Sequence, residues 1–376
     1  MTETHLAWSD ELGKRVRTGL WADQAIGTAT KIREALEDAG DTFGLKAGRR
    51  ETSAQLVDYF MEEAKVVYVI YKVWTEGFVD WLRGKGVEEA DLSAELDRLA
   101  TLMAWPDGTP LDATARWEAL GERAGRLANG IRGYDLSVTA GTAEIDALVE
   151  DWRCLHDRYA DVMAGVLAFV ARRFGEDALD PCYRFVLEPY IQERYMVFDT
   201  RLKAYEETLV RNLYTSLEAM RAHLVGQGRK GNVGLLEFED HWELSFDPCG
   251  SGGRQVRGDE IEGTGSRVLA PYEFGVTQEA HPWSWNETGV CYYCAHCNLT
   301  LSTLPAERWG HPVRTVDPPL WRGPDAAESR RQCTWKVWKS LEAIPEHEYE
   351  RIGRTKPQLP VIQPGEPSRR FPEGMV

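Results

Sequence analysis

Apolar residues recur every three or four positions along most of the first 230 residues, which is the spacing of an α-helix. The clearest run predicts one continuous helix about 60 Å long, at ~1.5 Å per residue. Pro189 lies near its start, where a kink is expected. The apolar positions of this run are Leu187, Ile191, Tyr195, Phe198, Leu202, Tyr205, Leu209, Leu213, Leu217, Met220 and Leu224.

Two further helices are predicted upstream of this run. Thr52 and Gln55 match a capping box that would open a long helix. Another helix is expected over about 142–173, with Gly175 as its stop. Because no strand pattern interrupts these segments, residues 1–230 are predicted to form an antiparallel helical bundle.

The composition changes after the polar, glycine-rich stretch 226–232, which predicts a domain boundary. Residues 231–354 are rich in glycine, proline, tryptophan and cysteine, and they lose the helical period. We predict here a smaller C-terminal α+β domain with a Cys-rich metal site. A proline-rich extended arm is expected over 355–376. The predicted fold class is therefore mainly α.

Secondary structure in the second domain is predicted to be short. The stretch 241–249 alternates apolar and polar side chains, with Trp242, Leu244 and Phe246 on one face, which indicates a half-buried strand. A second strand is expected within 311–319, where the prolines after Asp317 stop it. The segment near 333–344 is predicted to be a helix.

Charge and length restrict the partners. The chain has 376 residues and a net charge of −16 at pH 7, which disfavours nucleic acid and anionic membranes. The N-terminal residues predict no export signal, and the longest apolar run, 66–71, is too short to span a bilayer. Seven cysteines in this context indicate reduced thiols. We expect a cytoplasmic protein with a small-molecule substrate, no nucleic-acid or membrane partner, and a possible homo-oligomeric state.

The stretch CYYCAHC places Cys291, Cys294 and Cys297 at the spacing C-x2-C-x2-C, which is typical of zinc and iron–sulfur sites. We predict all three as metal ligands. Cys249, which opens the stretch CGSGGR, is the predicted fourth ligand. The alternatives for that position are His241, His281, His296 and Cys333.

The glycines after Cys249 are predicted to help bind the metal or cofactor. Gly252 and Gly253 allow backbone N–H groups to turn toward an anion or a thiolate. Arg254 is close enough in sequence to favour the Cys249 thiolate. A free nucleophilic thiol and a simple structural turn stay open as alternatives for Cys249.

Zinc is favoured over an iron–sulfur cluster. Leu301 occupies the position at which the bacterial ferredoxin pattern carries its fourth cysteine. Zinc fits four thiolates, or three thiolates with one position open. The alternative is a [4Fe–4S] cluster that transfers electrons or acts as a Lewis acid through an open iron.

The residues around the cysteines favour an enzyme. The aromatic residues that flank them either line a small-molecule pocket or pack the second domain against the bundle: Trp283, Trp285, Tyr292 and Tyr293. The predicted acid–base residues are His241, Glu243, His281 and His296. Asp247 would orient a histidine or a ligand. The leading hypothesis is a zinc-dependent hydrolase or lyase for a small organic substrate, aromatic and sulfur-containing molecules included.

Other interpretations compete with this one. A non-catalytic scaffold would need its zinc only for folding. Thiol redox chemistry at Cys294 and Cys297 lacks a supporting βαβ pattern. A di-iron site is disfavoured because the helices carry no Glu-x-x-His pair. Cys154 and Cys182 are predicted to be core residues. His156, Asp157 and Asp161 are predicted to form a polar helix face rather than a site.

Overall fold

The structure is a computed structural model, and it describes residues 6–10, 12–41, 47–226, 229–246 and 249–358. The chain is mainly α-helical, with small antiparallel sheets. The α-helices are α1 (Trp21–Gln24), α2 (Thr28–Ala39), α3 (Ala47–Gly84), α4 (Glu89–Leu102), α5 (Ala113–Arg132), α6 (Val138–Phe174), α7 (Leu179–Arg194), α8 (Leu209–His223), α9 (Gly252–Arg257), α10 (Ala295–Asn298), α11 (Leu304–Trp309) and α12 (Glu346–Glu350). The strands are β1 (Leu6–Ser9), β2 (Lys14–Arg17), β3 (Val225–Gly226), β4 (Arg229–Lys230), β5 (Gly234–Glu237), β6 (His241–Phe246), β7 (Thr315–Asp317) and β8 (Cys333–Trp338).

Helix α3 is the central packing element, since it contacts α2, α5, α6, α7 and α8. The predicted helix start at Thr52 is wrong. Helix α3 begins at Ala47, and the Thr52 hydroxyl donates to the Gly48 carbonyl from inside the helix. For α6 the prediction is confirmed within a few residues. The Ser137 hydroxyl caps its start by accepting from the Ala140 N–H, and the helix ends at Gly175, which has φ 86°.

The predicted continuous helix from Leu187 to Leu224 is wrong. Helices α7 and α8 are separated by turns and short 3-10 segments. Helix α7 ends at Arg194, and Asp199 then takes an extended backbone with ψ 109°. The Asp199 carbonyl accepts from the Leu202 N–H, and its carboxylate accepts from the Arg201 N–H. These local hydrogen bonds compete with helix formation. Leu202 is consequently exposed, although its position fits the helical period.

Four strands form the largest sheet, with the antiparallel order β5-β6-β8-β7. The prediction for β6 is confirmed, with Leu244 and Phe246 buried. The prediction for β7 is confirmed as well, since the strand ends immediately before Pro318. The predicted helix near 333–344 is wrong, because this segment begins with strand β8. Trp335 packs opposite Leu244 across the pair, so sheet pairing outweighs the helical pattern.

Strands β3 and β4 form a hairpin within the predicted boundary 226–232, and β3 packs on α6. One hydrophobic cluster includes residues from both sides of this hairpin. The division into domains 1–230 and 231–354 stays a prediction. Of the predicted arm, only 355–358 lies in the described part of the chain. Within the described ranges, no helix is both long and apolar enough to cross a bilayer.

Candidate functional site

The glycine-rich loop and the CYYCAHC stretch meet in the interior. A Cβ atom on Gly252 would lie 2.2 Å from Cys294 Sγ and 3.5 Å from Cys291 Sγ. A Cβ atom on Gly253 would lie 2.8 Å from Cys249 Cβ. Real Cβ atoms do not approach other heavy atoms that closely, so a larger residue at either position would force the cysteine side chains to shift. The two glycines therefore let Cys249 and the distant cysteines share one buried region.

Five cysteines occupy this region, and we call them the thiol cluster: Cys249, Cys291, Cys294, Cys297 and Cys333. Cys333 enters from the first position of β8, where it pairs with Phe246. All five are free thiols, and Cys291 Sγ lies 2.7 Å from Cys294 Sγ. The sequence predicted the meeting of Cys249 with the 291–297 segment. It gave Cys333 only as an alternative ligand.

The environment of the cluster opposes ionisation of its thiols. The hydrogen bond between Cys294 and Cys291 raises the pKa of Cys294 well above the usual value, and burial of Cys294 raises it further. Burial and the neighbouring thiol Cys249 raise the pKa of Cys297 and of Cys333. A bound cation would reverse this preference, because it stabilises thiolates directly. Without one, these three thiols stay protonated at neutral pH.

Metal ligation requires a rearrangement of the cluster. Among the residues that the structure describes, no three or more His, Cys, Asp and Glu side chains are arranged to hold a metal ion. Two thiolates on one tetrahedral zinc, with bonds of ~2.3 Å, are roughly 3.8 Å apart. Cys291 and Cys294 are closer than that, at 2.7 Å. The ligand set Cys249, Cys291, Cys294 and Cys297 stays a prediction.

A network of histidine and tyrosine side chains lies beside the cluster, and we call it the His–Tyr network. His156 Nδ1 lies 2.8 Å from Asp157 Oδ1, and His156 Nε2 lies 2.8 Å from His223 Nδ1. The Tyr71 hydroxyl is 3.1 Å from His156 Nε2 and 3.2 Å from His223 Nδ1. It also lies 2.8 Å from the Tyr293 hydroxyl. Helices α3, α6 and α8 thus bring polar groups to the CYYCAHC stretch.

His296 connects the network region to the thiols. Its Nδ1–H donates to the Tyr293 carbonyl at 2.5 Å, which leaves Nε2 as an acceptor. That Nε2 lies 3.3 Å from Cys297 Sγ. Burial lowers the pKa of His296 to about 4, so the ring is neutral at pH 7. A ring with so low a pKa accepts a hydrogen bond from the thiol, and it takes the thiol proton only where a bound cation lowers the thiol pKa.

Charged residues hold the glycine loop against α6. Burial by itself raises the pKa of Asp157, but Arg229 and Arg254 outweigh it and hold the pKa well below its usual range. Arg254 donates to the Gly250 carbonyl at 2.9 Å and to Asp161 Oδ1 at 2.7 Å. Arg254 therefore ties the loop to the helix that carries His156. The predicted effect of Arg254 on Cys249 stays a prediction.

Of the four predicted acid–base residues, the structure brings only His296 to the thiol cluster. His241 lies at the other end of β6 from the Phe246–Cys333 pair, a distance of about 17 Å at ~3.3 Å per residue. Glu243 lies on the same strand, opposite Lys336, about 10 Å from that end. The strand direction separates both residues from the thiols.

The remaining predicted acid–base residue, His281, belongs to another contact. Its Nε2–H donates to Glu176 Oε1 at 2.7 Å, and its ring stacks on Trp283. Glu176 Oε2 accepts from the Tyr292 hydroxyl at 3.1 Å. His281 thus supports the CYYCAHC stretch from behind, through Glu176. The orienting role predicted for Asp247 falls outside the described residues.

The aromatic residues around the cysteines are packed rather than open. Trp283, Trp285, Tyr292 and Tyr293 are all buried. The Tyr183 hydroxyl on α7 donates to the Tyr292 carbonyl at 2.6 Å, which fixes the stretch to the helices.

Sequence reasoning missed the helical half of the site. The polar helix face predicted for His156, Asp157 and Asp161 is wrong, since each is only 1% exposed. A signal was available, because His156 continues the apolar spacing of Trp152 and Ala160 on α6. Tyr71 likewise follows the buried face of α3. Cys154 and Cys182 are buried, as expected for core residues.

Comparison of the chain with known protein families, with curated proteins and with solved structures finds no significant match.

Proposed function

We propose that this chain is a metalloenzyme whose thiol cluster binds zinc and whose His–Tyr network moves protons for a small organic substrate. The proposed ligands are Cys249, Cys291, Cys294 and Cys297, and the proposed chemistry is that of a hydrolase or a lyase. In this proposal, the first 230 residues are an antiparallel helical bundle. Residues 231–354 are a smaller α+β Cys-rich metal-binding domain, and the protein acts in the cytoplasm.

One observation carries the proposal. Thiols from three separate segments lie together next to a connected set of histidine and tyrosine side chains. Packing alone would favour apolar residues at these positions, because a buried polar group is costly unless it is hydrogen-bonded. Thiolates suit a soft metal ion, and imidazoles suit proton transfer at neutral pH. Their combination is typical of a reaction centre.

Each part of the chain has a distinct role in this proposal. Zinc, when bound, would polarise a carbonyl, amide or C–S group or activate water. His296 Nε2 accepts a proton at the thiols, since the Tyr293 carbonyl holds its Nδ1–H. His156 and His223 are the next proton acceptors after His296. The Tyr71 hydroxyl connects both of them to the Tyr293 hydroxyl.

The spacing of the thiols supports a single ion over a cluster. Cys291 Sγ and Cys294 Sγ lie 2.7 Å apart, and they need to separate by only about 1 Å to share one tetrahedral zinc. Cysteines of a [4Fe–4S] cluster each bind a different iron, which requires a larger separation. Brown colour and visible absorption in anaerobically purified protein would decide for the cluster.

A scaffold with a structural zinc is the second candidate. The observation that favours it is that the aromatic residues which flank the cysteines are all buried: Trp283, Trp285, Tyr292 and Tyr293. A structural site is closed, whereas a catalytic site keeps one position accessible. Chelation of the metal would then unfold the C-terminal part, and substitutions in the His–Tyr network would change no reaction.

The test combines metal content with activity. We expect about one zinc per chain, and we expect its loss in Cys249→Ser but not in the matched core variant Cys154→Ser. Zinc-loaded protein is then screened against aryl esters, thioesters and aryl thioether conjugates of cysteine. His296→Gln should lower kcat for the accepted class about a hundredfold, as expected for loss of a general base. The exposed control His347→Gln should not change kcat. Zinc binding with no turnover in any class would favour the scaffold.

A further inference from the structure

The four-stranded sheet ends in two very different edge strands. Strand β7 is three residues long, Val316 at its centre is buried, and two prolines follow it. Within the described residues, strand β5 pairs with β6 alone, and most of it is exposed. An edge strand offers its backbone to a further strand, so proteins usually shorten it, charge it or cover it. Of these two edges, β7 is protected and β5 is open.

The backbone of β5 alternates between the sheet and the open side. The Phe238 N–H donates to the carbonyl of the first β6 residue at 2.8 Å, so Phe238 bonds toward β6. In an antiparallel pair every second residue bonds to the neighbouring strand, so Leu236 and Gly234 bond inward as well. Leu235 and Glu237 therefore turn their N–H and C=O groups outward. Across the described part of the chain, no backbone hydrogen bond reaches these outward groups.

The solvent side of β5 is apolar. Leu235 packs against the hydrophobic core, so Leu236 and Phe238 lie on the opposite side of the strand. They are 59% and 43% exposed. The remaining position on that side is Gly234, which has no side chain. A large ring and a glycine thus lie at the two ends of this side, with a leucine between them.

Charge does not protect this edge. Glu237 is the only charged residue between 234 and 238. Lys339 of the same chain pairs with its carboxylate at 2.8 Å. Glu239 and Asp240 lie in the turn that leads into β6. Two copies of this stretch can therefore approach each other without unpaired like charges meeting face to face.

We propose that the β5 strands of two copies of this chain pair antiparallel about a two-fold axis at Leu236. In this register Leu235 faces the partner's Glu237, and Glu237 faces the partner's Leu235. Each of these two pairs exchanges two hydrogen bonds through the open backbone groups. Leu236 meets the partner's Leu236, and Phe238 covers the partner's Gly234, as aromatic rings do at edge glycines. The sheet then continues through both chains.

The neighbouring registers fit less well. An axis at Leu235 would need the outward N–H of Val233, which already donates to the Ala25 carbonyl at 2.8 Å. An axis at Glu237 sets two carboxylates directly opposite each other, which is destabilising. The axis at Leu236 avoids both problems. This inference does not depend on the proposed metal chemistry, because it uses other residues.

Sedimentation equilibrium of the full chain over a series of concentrations tests the dimer. A contact of this size is typical of weak complexes, so the mass should rise from 42.6 kDa toward twice that value as concentration increases. Leu236→Lys puts two like charges at the axis and should keep the chain monomeric. Leu202→Lys is the matched control, since Leu202 is 55% exposed and lies outside the sheet. It should dimerise as the wild type does.

Cross-linking tests the register. Residues that face each other have Cβ atoms about 4.5–5.5 Å apart, so Leu236→Cys should form an intermolecular disulfide when diamide takes up the two thiol hydrogens. Phe238→Cys should not, because its symmetry mate is four positions away, roughly 13 Å at ~3.3 Å per residue. The wild type is the control for the native thiols, which are all at least partly buried.

Three results would overturn the proposal. The first is a monomer at every concentration, which would leave the open edge to a strand of another protein. The second is a Leu236→Lys variant that dimerises like the wild type. The third is equal cross-linking of Leu236→Cys and Phe238→Cys.

Discussion

His156 Nε2 and His223 Nδ1 lie 2.8 Å apart, and this contact joins α6 to the end of α8. The carboxylate of Asp157 accepts from His156 Nδ1–H, which makes His156 Nε2 an acceptor. His223 therefore donates from Nδ1 and is left with an unprotonated Nε2. Two neutral histidines with fixed tautomers form a directed path for a proton. The proposed zinc chemistry requires such a path next to the thiol cluster.

The first prediction concerns acid stability. Burial lowers the pKa of His156, and burial together with His156 lowers the pKa of His223 well below 6.5. Below pH 6.5 the unfolded chain binds protons that the folded chain does not, so stability falls as the pH falls. The free energy of unfolding should decrease by up to ~1.4 kcal/mol per pH unit for each histidine between about pH 6.5 and 5.

Urea unfolding at a series of pH values measures this slope. His223→Gln should reduce it by about one proton, and the exposed control His347→Gln should leave it unchanged. An identical slope in the wild type and in His223→Gln would contradict the burial argument.

The second prediction concerns the Tyr71 hydroxyl, which bridges His156, His223 and Tyr293. Tyr71→Phe keeps the ring but leaves buried polar partners unpaired. We expect a loss of about 1–3 kcal/mol in the free energy of unfolding. Tyr68→Phe is the matched control on the same helix, because Tyr68 acts through its ring, stacked 4.5 Å from Trp117. Equal stability of the two variants would remove the bridging role of Tyr71.

The third prediction concerns Gly252. In Gly252→Ala the added methyl group would lie 2.2 Å from Cys294 Sγ, so the thiol cluster has to shift. We expect a loss of about 1–3 kcal/mol in stability from overpacking, together with weaker metal binding. Gly265→Ala is the control, since a Cβ atom there has no neighbour within 4 Å. Unchanged metal affinity in Gly252→Ala would show that the glycine loop does not shape the site.

The sequence predicted those parts of the fold that depend on local patterns. Strand β6 was predictable because its alternation is uninterrupted, and helix α6 because Gly175 ends it. The break after α7 was not, because hydrogen bonds to one residue, Asp199, outweigh a regular apolar period. Strand β8 was missed because its identity depends on pairing with a strand about ninety residues earlier.

The candidate site divides in the same way. The proximity of Cys249 to the CYYCAHC stretch was predictable from ligand chemistry. A zinc site needs three or four protein ligands, so the three cysteines of the stretch called for a further ligand from elsewhere in the chain. The His–Tyr network did not follow, since its members lie on three separate helices. The available signal was that His156 lies on an apolar face of its helix. From the sequence, His156 was instead assigned to a polar face, and the side chain is buried.

The fourth prediction concerns a buried ion pair between helices α3 and α8. Arg221 Nε donates to Glu63 Oε1 at 2.9 Å, and both side chains are almost fully buried. Arg221→Met would leave a buried carboxylate unpaired, which costs about 3–5 kcal/mol. Arg126→Ala breaks an exposed pair with Glu122 and should cost less than about 1 kcal/mol. Chemical unfolding of both variants checks the difference, and similar losses would contradict it.

The central claim is that thiols from distant parts of the chain bind one zinc ion. X-ray absorption at the zinc edge, on protein purified without added metal, tests this most directly. We expect about one zinc per chain with sulfur neighbours at ~2.3 Å. Zinc should be lost in Cys249→Ala and retained in Cys154→Ala. Protein without bound zinc, or a zinc shell without sulfur, would contradict the account.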